Sequence, residues 1–251
     1  MNTYQKIIHK SRYAKYIPAL ERREEWPETV ERYTSFFRNK FGKIYPEQLI
    51  KDSILNMKVM PSMRGMMTAG EALSRDELAV FNCAYLPLKS TSDYKDLTYI
   101  LMLGTGVGFS CESKFVNNFP RIESFNANHP VGIKEAIALS SEFIVSEEVP
   151  MYLVQDSKYG WAESNMYLLN CLFKGYIPNI SYEKVRPKGA RLVTFGGRAS
   201  GPEPLKECHK KIIKLFAKRQ GNKLRSIDAH DIACYIADSI VVGGVRRCHS
   251  E

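Results

Sequence analysis

Four short stretches carry residue types that could do chemistry. In "AVFNCAYLPLKS", residues 79–90, a thiol (Cys83) stands beside an amide (Asn82) in an otherwise apolar run that ends on a proline, Pro87. Such a cysteine is either a small apolar filler or a redox or nucleophilic thiol held beside a polar neighbour. "LGTGVGFS" sets Gly104, Gly106 and Gly108 at alternate positions. The spacing is not the G-x-G-x-x-G of a dinucleotide loop, and no Gly-Lys-Ser/Thr follows for a phosphate loop. Alternate glycines supply close backbone approach, at a tight corner or against a ligand or thiol. "FGGRASGP", residues 195–202, is either a plain connection or a moving loop in which Arg198 forks a phosphate or carboxylate. "SIDAHDIA" resembles the Asp-x-His-x-x-Gly run with which some cobalamin proteins ligate cobalt. Its sixth position is Ala233, however, and Asp228 reads as a helix N-cap.

The elements that must position these residues follow from periodicity. Val30, Tyr33, Phe36, Phe37 and Phe41 recur at helical spacing over 26–42, with Pro27 in the first turn and Gly42 at the end. A second helix is expected over 46–58, stopped by Pro61. "PSMRGMMTAGEAL" reads as loop, and 79–88 as a strand. A helix from Ser92 to about Leu103 leads through the glycines into another strand. Helices are also expected around 132–144, over 156–175 (capped by Asp156 or Ser157 and ended by Gly175), over 204–221 and over 226–242, with a strand at 190–197. Strands alternating with helices imply an α/β architecture with mainly parallel pairing.

Composition excludes several classes. The chain has 251 residues, a formal net charge of +9 and 44% hydrophobic residues, enough for a sizeable core. No apolar run reaches the ~18 residues of a membrane helix, and the N-terminus shows no signal-peptide core. The six cysteines, at 83, 111, 171, 208, 234 and 248, form no CxxC pair and no zinc-finger spacing. No metal centre is therefore expected, and the thiols suit a reducing, cytoplasmic compartment. The basic helix around 205–225 reads as a solvated face, so neither nucleic acid nor membrane is expected as a partner.

Taken in order, "PSMRGMMTAGEAL", "NCAYLPL", "LMLGTGVGFS", "DSKYGWAES", "VRPKGARLVTFGGRASGPEPL" and "IVVGGVRR" resemble the catalytic chain of ribonucleotide reductase. The adenosylcobalamin-dependent (class II) ribonucleoside-triphosphate branch is the most similar. The resemblance implies that Cys83 is one half of a redox pair that reduces the ribose, with Asn82 its neighbour at the substrate. It implies that Ser62 hydrogen-bonds the substrate and that the Gly104–Gly106–Gly108 backbone packs close to the thiol, with Gly106 at the substrate. Gly196, Gly197, Arg198, Ala199 and Ser200 would form the loop that carries effector information to the substrate base. The implied cofactor is adenosylcobalamin. The implied partners are a ribonucleoside triphosphate, a deoxynucleotide effector, a thioredoxin-like reductant and a complementary C-terminal half.

The implied fold is a helical cap over 1–60 and the first half of a ten-stranded α/β barrel over 61–247. The sequence departs from the family in lacking the Asn-Pro-Cys-Gly-Glu radical motif. It is expected to be inactive alone for that reason. Residues 248–251, "CHSE", diverge from the family's usual continuation and read as an intein junction, a split-gene junction or simple divergence. A non-catalytic half-barrel that binds nucleotide or pairs with a second chain is the alternative.

Overall fold

The computed structural model describes residues 1–125, 151–190 and 198–240. The helix expected at 132–144, most of the strand expected at 190–197, and the 248–251 tail lie outside them. The architecture is mixed α/β, mostly helical with short strands. Two compact units divide between Asn82 and Cys83.

In the N-terminal unit, α1 (Thr3–Ile8) leads to a short antiparallel pair, β1 (Tyr16–Ile17) and β2 (Arg22–Arg23). Helices α2 (Trp26–Phe41) and α3 (Glu47–Leu55) follow. Pro27 sits in the first turn of α2, where its missing N–H costs nothing. The buried stripe of α2 is Trp26, Thr29, Val30 and Thr34, which packs with Ile54 and Met66. Phe41, expected on the inner face, is instead exposed, and its ring stacks on Phe37.

The "PSMRGMMTAGEAL" stretch, read as loop, is helical: α4 (Met63–Thr68) and α5 (Glu71–Arg75). Ser62 starts α4 by accepting a hydrogen bond from the Gly65 N–H at 2.9 Å. Arg32 ties the unit together. Its Nε and Nη2 donate to the Glu24 carboxylate at 2.7 and 2.9 Å, and its Nη1 donates to the carbonyls of Met66 and Ala69. Burial pushes the Glu24 pKa up, but the Arg32 guanidinium, the Lys15 N–H and the Thr29 hydroxyl bring it below the ordinary glutamate range.

The second unit opens with a parallel strand–helix–strand crossover: β3 (Cys83–Pro87), α6 (Thr91–Met102) and β4 (Gly106–Ser110). Residues 79–80, expected as the start of the strand, belong instead to a 3-10 turn over Glu77–Val80. Ser90, not Ser92, caps α6, in a reciprocal box with Asp93. A short helix, α7 (Ser113–Val116), follows β4. Further along, β5 (Tyr152–Leu153) pairs in parallel with β6 (Ile180–Ser181), and α8 (Lys158–Phe173) lies between them. Then come α9 (Glu203–Arg219) and α10 (Ser226–Ser239).

Helix α8 is central. Trp161, Leu168, Leu169, Leu172 and Phe173 are buried in one continuous core with Leu97 and Leu101 of α6 and Ile212 and Phe216 of α9. Ser157 caps α8 by accepting from the Gly160 N–H. Gly160 is needed for space: a Cβ there would lie 2.4 Å from the Gln155 carbonyl oxygen. Gly→Ala ordinarily stabilises a helix by about 1 kcal/mol. Here the sign reverses, because a backbone carbonyl must move. Gly160→Ala is expected to destabilise the chain by about 1–3 kcal/mol, read as a lower urea midpoint at unchanged slope.

Candidate functional site

The crossover β3–α6–β4 has two unlike faces. The register pairs Cys83 with Gly106, Ala84 with Val107, Tyr85 with Gly108 and Leu86 with Phe109. Side chains alternate along a strand, and paired residues share a face. Leu86, Val107 and Phe109 pack against the core. Cys83 and Tyr85 point to the other side, where Tyr85 is 66% exposed. Opposite them stand two glycines, so this face carries a thiol and a phenol beside bare backbone. A Cβ at Gly108 would meet only the Ala84 carbonyl oxygen, at 3.9 Å. Gly108 therefore leaves open surface rather than relieving a clash.

This corrects the reading of 79–88 as a buried strand. Asn82 and Cys83 are exposed, as is Phe81. Among the described residues, only one side of the two-stranded ladder has a helical layer to bury against. Tyr85 was missed as a site residue, although its equal parity with Cys83 in the strand was a readable signal. Gly106 and Gly108 lie within β4, while the corner itself is made at Gly104, whose φ is +79°.

Exposure separates the thiols. Burial raises the pKa of Cys171, pushes Cys111 up to about 11 and pushes Cys208 up to about 12. Those three are held as neutral, packed thiols. Among the described cysteines, Cys83 alone is exposed.

The other expected site residues are placed as follows. Ser62, in the N-terminal unit, is exposed, and its Oγ accepts from Gly65, which leaves its O–H as a donor. Gly196 and Gly197 lie outside the described residues. Arg198 donates to the Gly189 carbonyl at 3.0 Å. Ala199 exchanges backbone hydrogen bonds with Gly189 and Ala190. Ser200 is half-buried. The described part of the "GGRAS" stretch is thus laid against residues 189–190.

"SIDAHDIA" is a helix start. Asp228 is not the N-cap but the third helical residue, accepting from the N–H and side chain of the N-cap, Arg225. Arg219 lies 3.1 Å from the same carboxylate. With Asp228 committed to two arginines and Ala233 fully buried, these residues fit a capped helix and not a cobalt-ligating segment.

A polar chain at the centre of the core was not foreseen from the residue order. Thr98, Asn165 and His209 are fully buried. Asn165 Nδ2 donates to Thr98 Oγ1 at 3.0 Å, and Thr98 donates to the Tyr94 carbonyl at 2.7 Å. That direction leaves Asn165 Oδ1 to accept from His209 Nε2 at 3.1 Å, and His209 Nδ1 to accept from the Tyr182 hydroxyl at 2.5 Å. Burial lowers the His209 pKa to about 3.

Comparison with known proteins follows the same architecture. A family model described as "B12-dependent ribonucleotide reductase, insertion domain" matches residues 121–216. The adenosylcobalamin-dependent ribonucleoside-triphosphate reductase of Lactobacillus helveticus (strain DPC 4571) is 27% identical, over 96% of this chain and 40% of its own. That of Lactobacillus leichmannii is 24% identical, over 96% of this chain and 39% of its own. A crystal structure of a B12-dependent (class II) ribonucleotide reductase superposes with a TM-score of 0.75 at 21% identity, covering 93% of this chain and 40% of that one. The chain spans about 40% of the length of the curated relatives it matches.

Proposed function

We propose, starting from the chain's homology to the class II, B12-dependent ribonucleotide reductases, that it contributes the substrate-reducing thiol and part of the nucleotide cradle to such an enzyme. The observation that carries this reading is the open sheet face: Cys83 exposed and paired with Gly106 in a parallel ladder. Bare backbone beside the thiol lets a sugar approach it closely. In the reaction, the ribose C2′–O bond breaks, the oxygen leaves as water, and two thiols supply the two electrons by forming a disulfide. Cys83 is one of those thiols. Asn82 and the Ser62 hydroxyl are exposed donors suited to substrate oxygens.

Within this reading, β3, α6 and β4 are elements of the half-barrel. Arg198, Ala199 and Ser200 belong to the effector-responsive loop. The radical that starts the reaction is the chemistry that cobalamin supplies when bound. No residue described on this chain is assigned to hold it.

The chain by itself is expected to form no deoxynucleotide, because the sequence contains no Asn-Pro-Cys-Gly-Glu radical motif. The assay is deoxynucleotide formation from a ribonucleoside triphosphate with adenosylcobalamin and a dithiol. It is run on the chain alone and on the chain mixed with a complementary C-terminal half of a class II enzyme. Product from the mixture only is the expected result. Product from the chain alone would sink the inactive-alone reading.

One observation favours a second reading. The β3–β4 ladder has, among the described residues, no third strand on either edge, and unpaired edges invite another chain. A mixture that stays inactive, in a chain whose melting temperature a deoxynucleotide still raises, would identify a binding module instead.

A further inference from the structure

Among the described residues, no three His, Cys, Asp or Glu side chains converge as a metal cage. One pair outside the Cys83 face nonetheless has the dimensions of a chelate. His230 and Cys234 lie one turn apart on α10, and Cys234 Sγ is 3.6 Å from His230 Nε2 and 3.7 Å from Nδ1. A tetrahedral cation with a metal–sulfur bond of about 2.3 Å and a metal–nitrogen bond of about 2.0–2.1 Å spans a sulfur–nitrogen bite of about 3.5 Å. The one-turn spacing on the helix therefore brings the two donors within reach of a single cation.

The near-equal distances to both nitrogens put the sulfur over the imidazole rather than on a lone-pair axis. Uptake requires the ring to turn about its Cβ–Cγ bond. The ring has room to do so: the His230 side chain is 48% exposed, and its aromatic neighbour, Phe109, is 5.8 Å away between ring centres. Asp231 lies 3.4 Å from Nδ1.

We propose that His230 and Cys234 chelate a thiophilic divalent cation of the zinc class, with water completing the coordination. A thiolate and an imidazole select such ions over magnesium or calcium. Cys234 is half-buried and must give up its proton to bind. The chelate would cross-link one turn in the middle of α10.

The experiment is titration of the reduced, metal-free full chain with Co²⁺, followed by absorbance and by proton release. One cobalt per chain is expected, with a thiolate-to-cobalt charge-transfer band that Zn²⁺ displaces and Mg²⁺ does not. Cys234→Ser should abolish the band. His230→Ala should weaken uptake more than about tenfold. Cys111→Ser should change neither, which separates this pair from the nearest other thiol. His230 is exposed and Cys234 half-buried on the helix, so circular dichroism can verify that the variants keep their fold. A wild-type chain without the band, a band that survives Cys234→Ser, or one lost in Cys111→Ser would each overturn the assignment.

Discussion

Cys83→Ser is expected to abolish dithiol-driven deoxynucleotide formation in the assembly of this chain with a complementary half, by about 10³-fold or more. Losses of that size follow removal of a group that reacts covalently. Serine keeps the size of the side chain and its exposed place opposite Gly106, but a hydroxyl cannot form the disulfide that delivers two electrons. The fold should be untouched, since Cys83 contributes nothing to the core. Wild-type turnover by Cys83→Ser would remove the thiol from the mechanism.

A companion measurement needs no partner. Timed alkylation of the native chain, read by mass spectrometry, should modify Cys83 well ahead of Cys171 and Cys208, which are buried and whose thiols burial keeps protonated. Equal rates would mean that the face is covered.

The second large effect lies in the core. His209→Leu is expected to cost about 2–5 kcal/mol. It removes the hydrogen bonds that His209 makes to the Tyr182 hydroxyl and to the buried Asn165 carbonyl oxygen, at about 1–3 kcal/mol for a buried group left unmet. The intact chain should also lose stability in mild acid. An unfolded histidine binds a proton near pH 6.5, whereas His209 in the fold resists it down to about pH 3. Above pH 6.5 neither state is protonated, and the contribution of His209 is complete. As the pH falls below that value, the unfolded state gains a proton the native state lacks. Stability then declines by up to about 1.4 kcal/mol per pH unit. The decline ends near the folded pKa.

His9 is also buried, with its pKa lowered mainly by that burial, so it adds to the same acid limb. Glu24 acts in the same direction at lower pH. Urea unfolding of the wild type and of His209→Gln between pH 7 and 5 isolates the His209 share. The glutamine variant should show the shallower pH dependence. Parallel profiles would show that His209 is not held neutral in the fold.

Much of this molecule was legible in the order of its residues. Pro27, Ser157 and Gly175 act on the backbone next to them, so the ends of α2 and α8 were readable locally. The parallel crossover around "NCAYLPL" and "GTGVGFS" was readable because strand and helix periods alternate there. The kinship with B12-dependent reductases was readable because long motifs recur in order. At α6 a local signal was passed over: Ser90 stands three residues before Asp93 and makes the reciprocal box that Ser92, three before Lys95, cannot make.

Tertiary structure alone decided which face of β3 is covered. An apolar strand looks buried on both sides until the number of layers against it is known, and among the described residues there is one. It also decided that His209, Asn165 and Thr98, spread over more than a hundred residues of chain, meet in a dry core. Hydrogen bonds between distant segments leave no periodic trace in a sequence, because each residue alone looks like an ordinary polar position on a helix. For the same reason the His230–Cys234 chelate was passed over: its spacing was visible, but the separation of its donors was not.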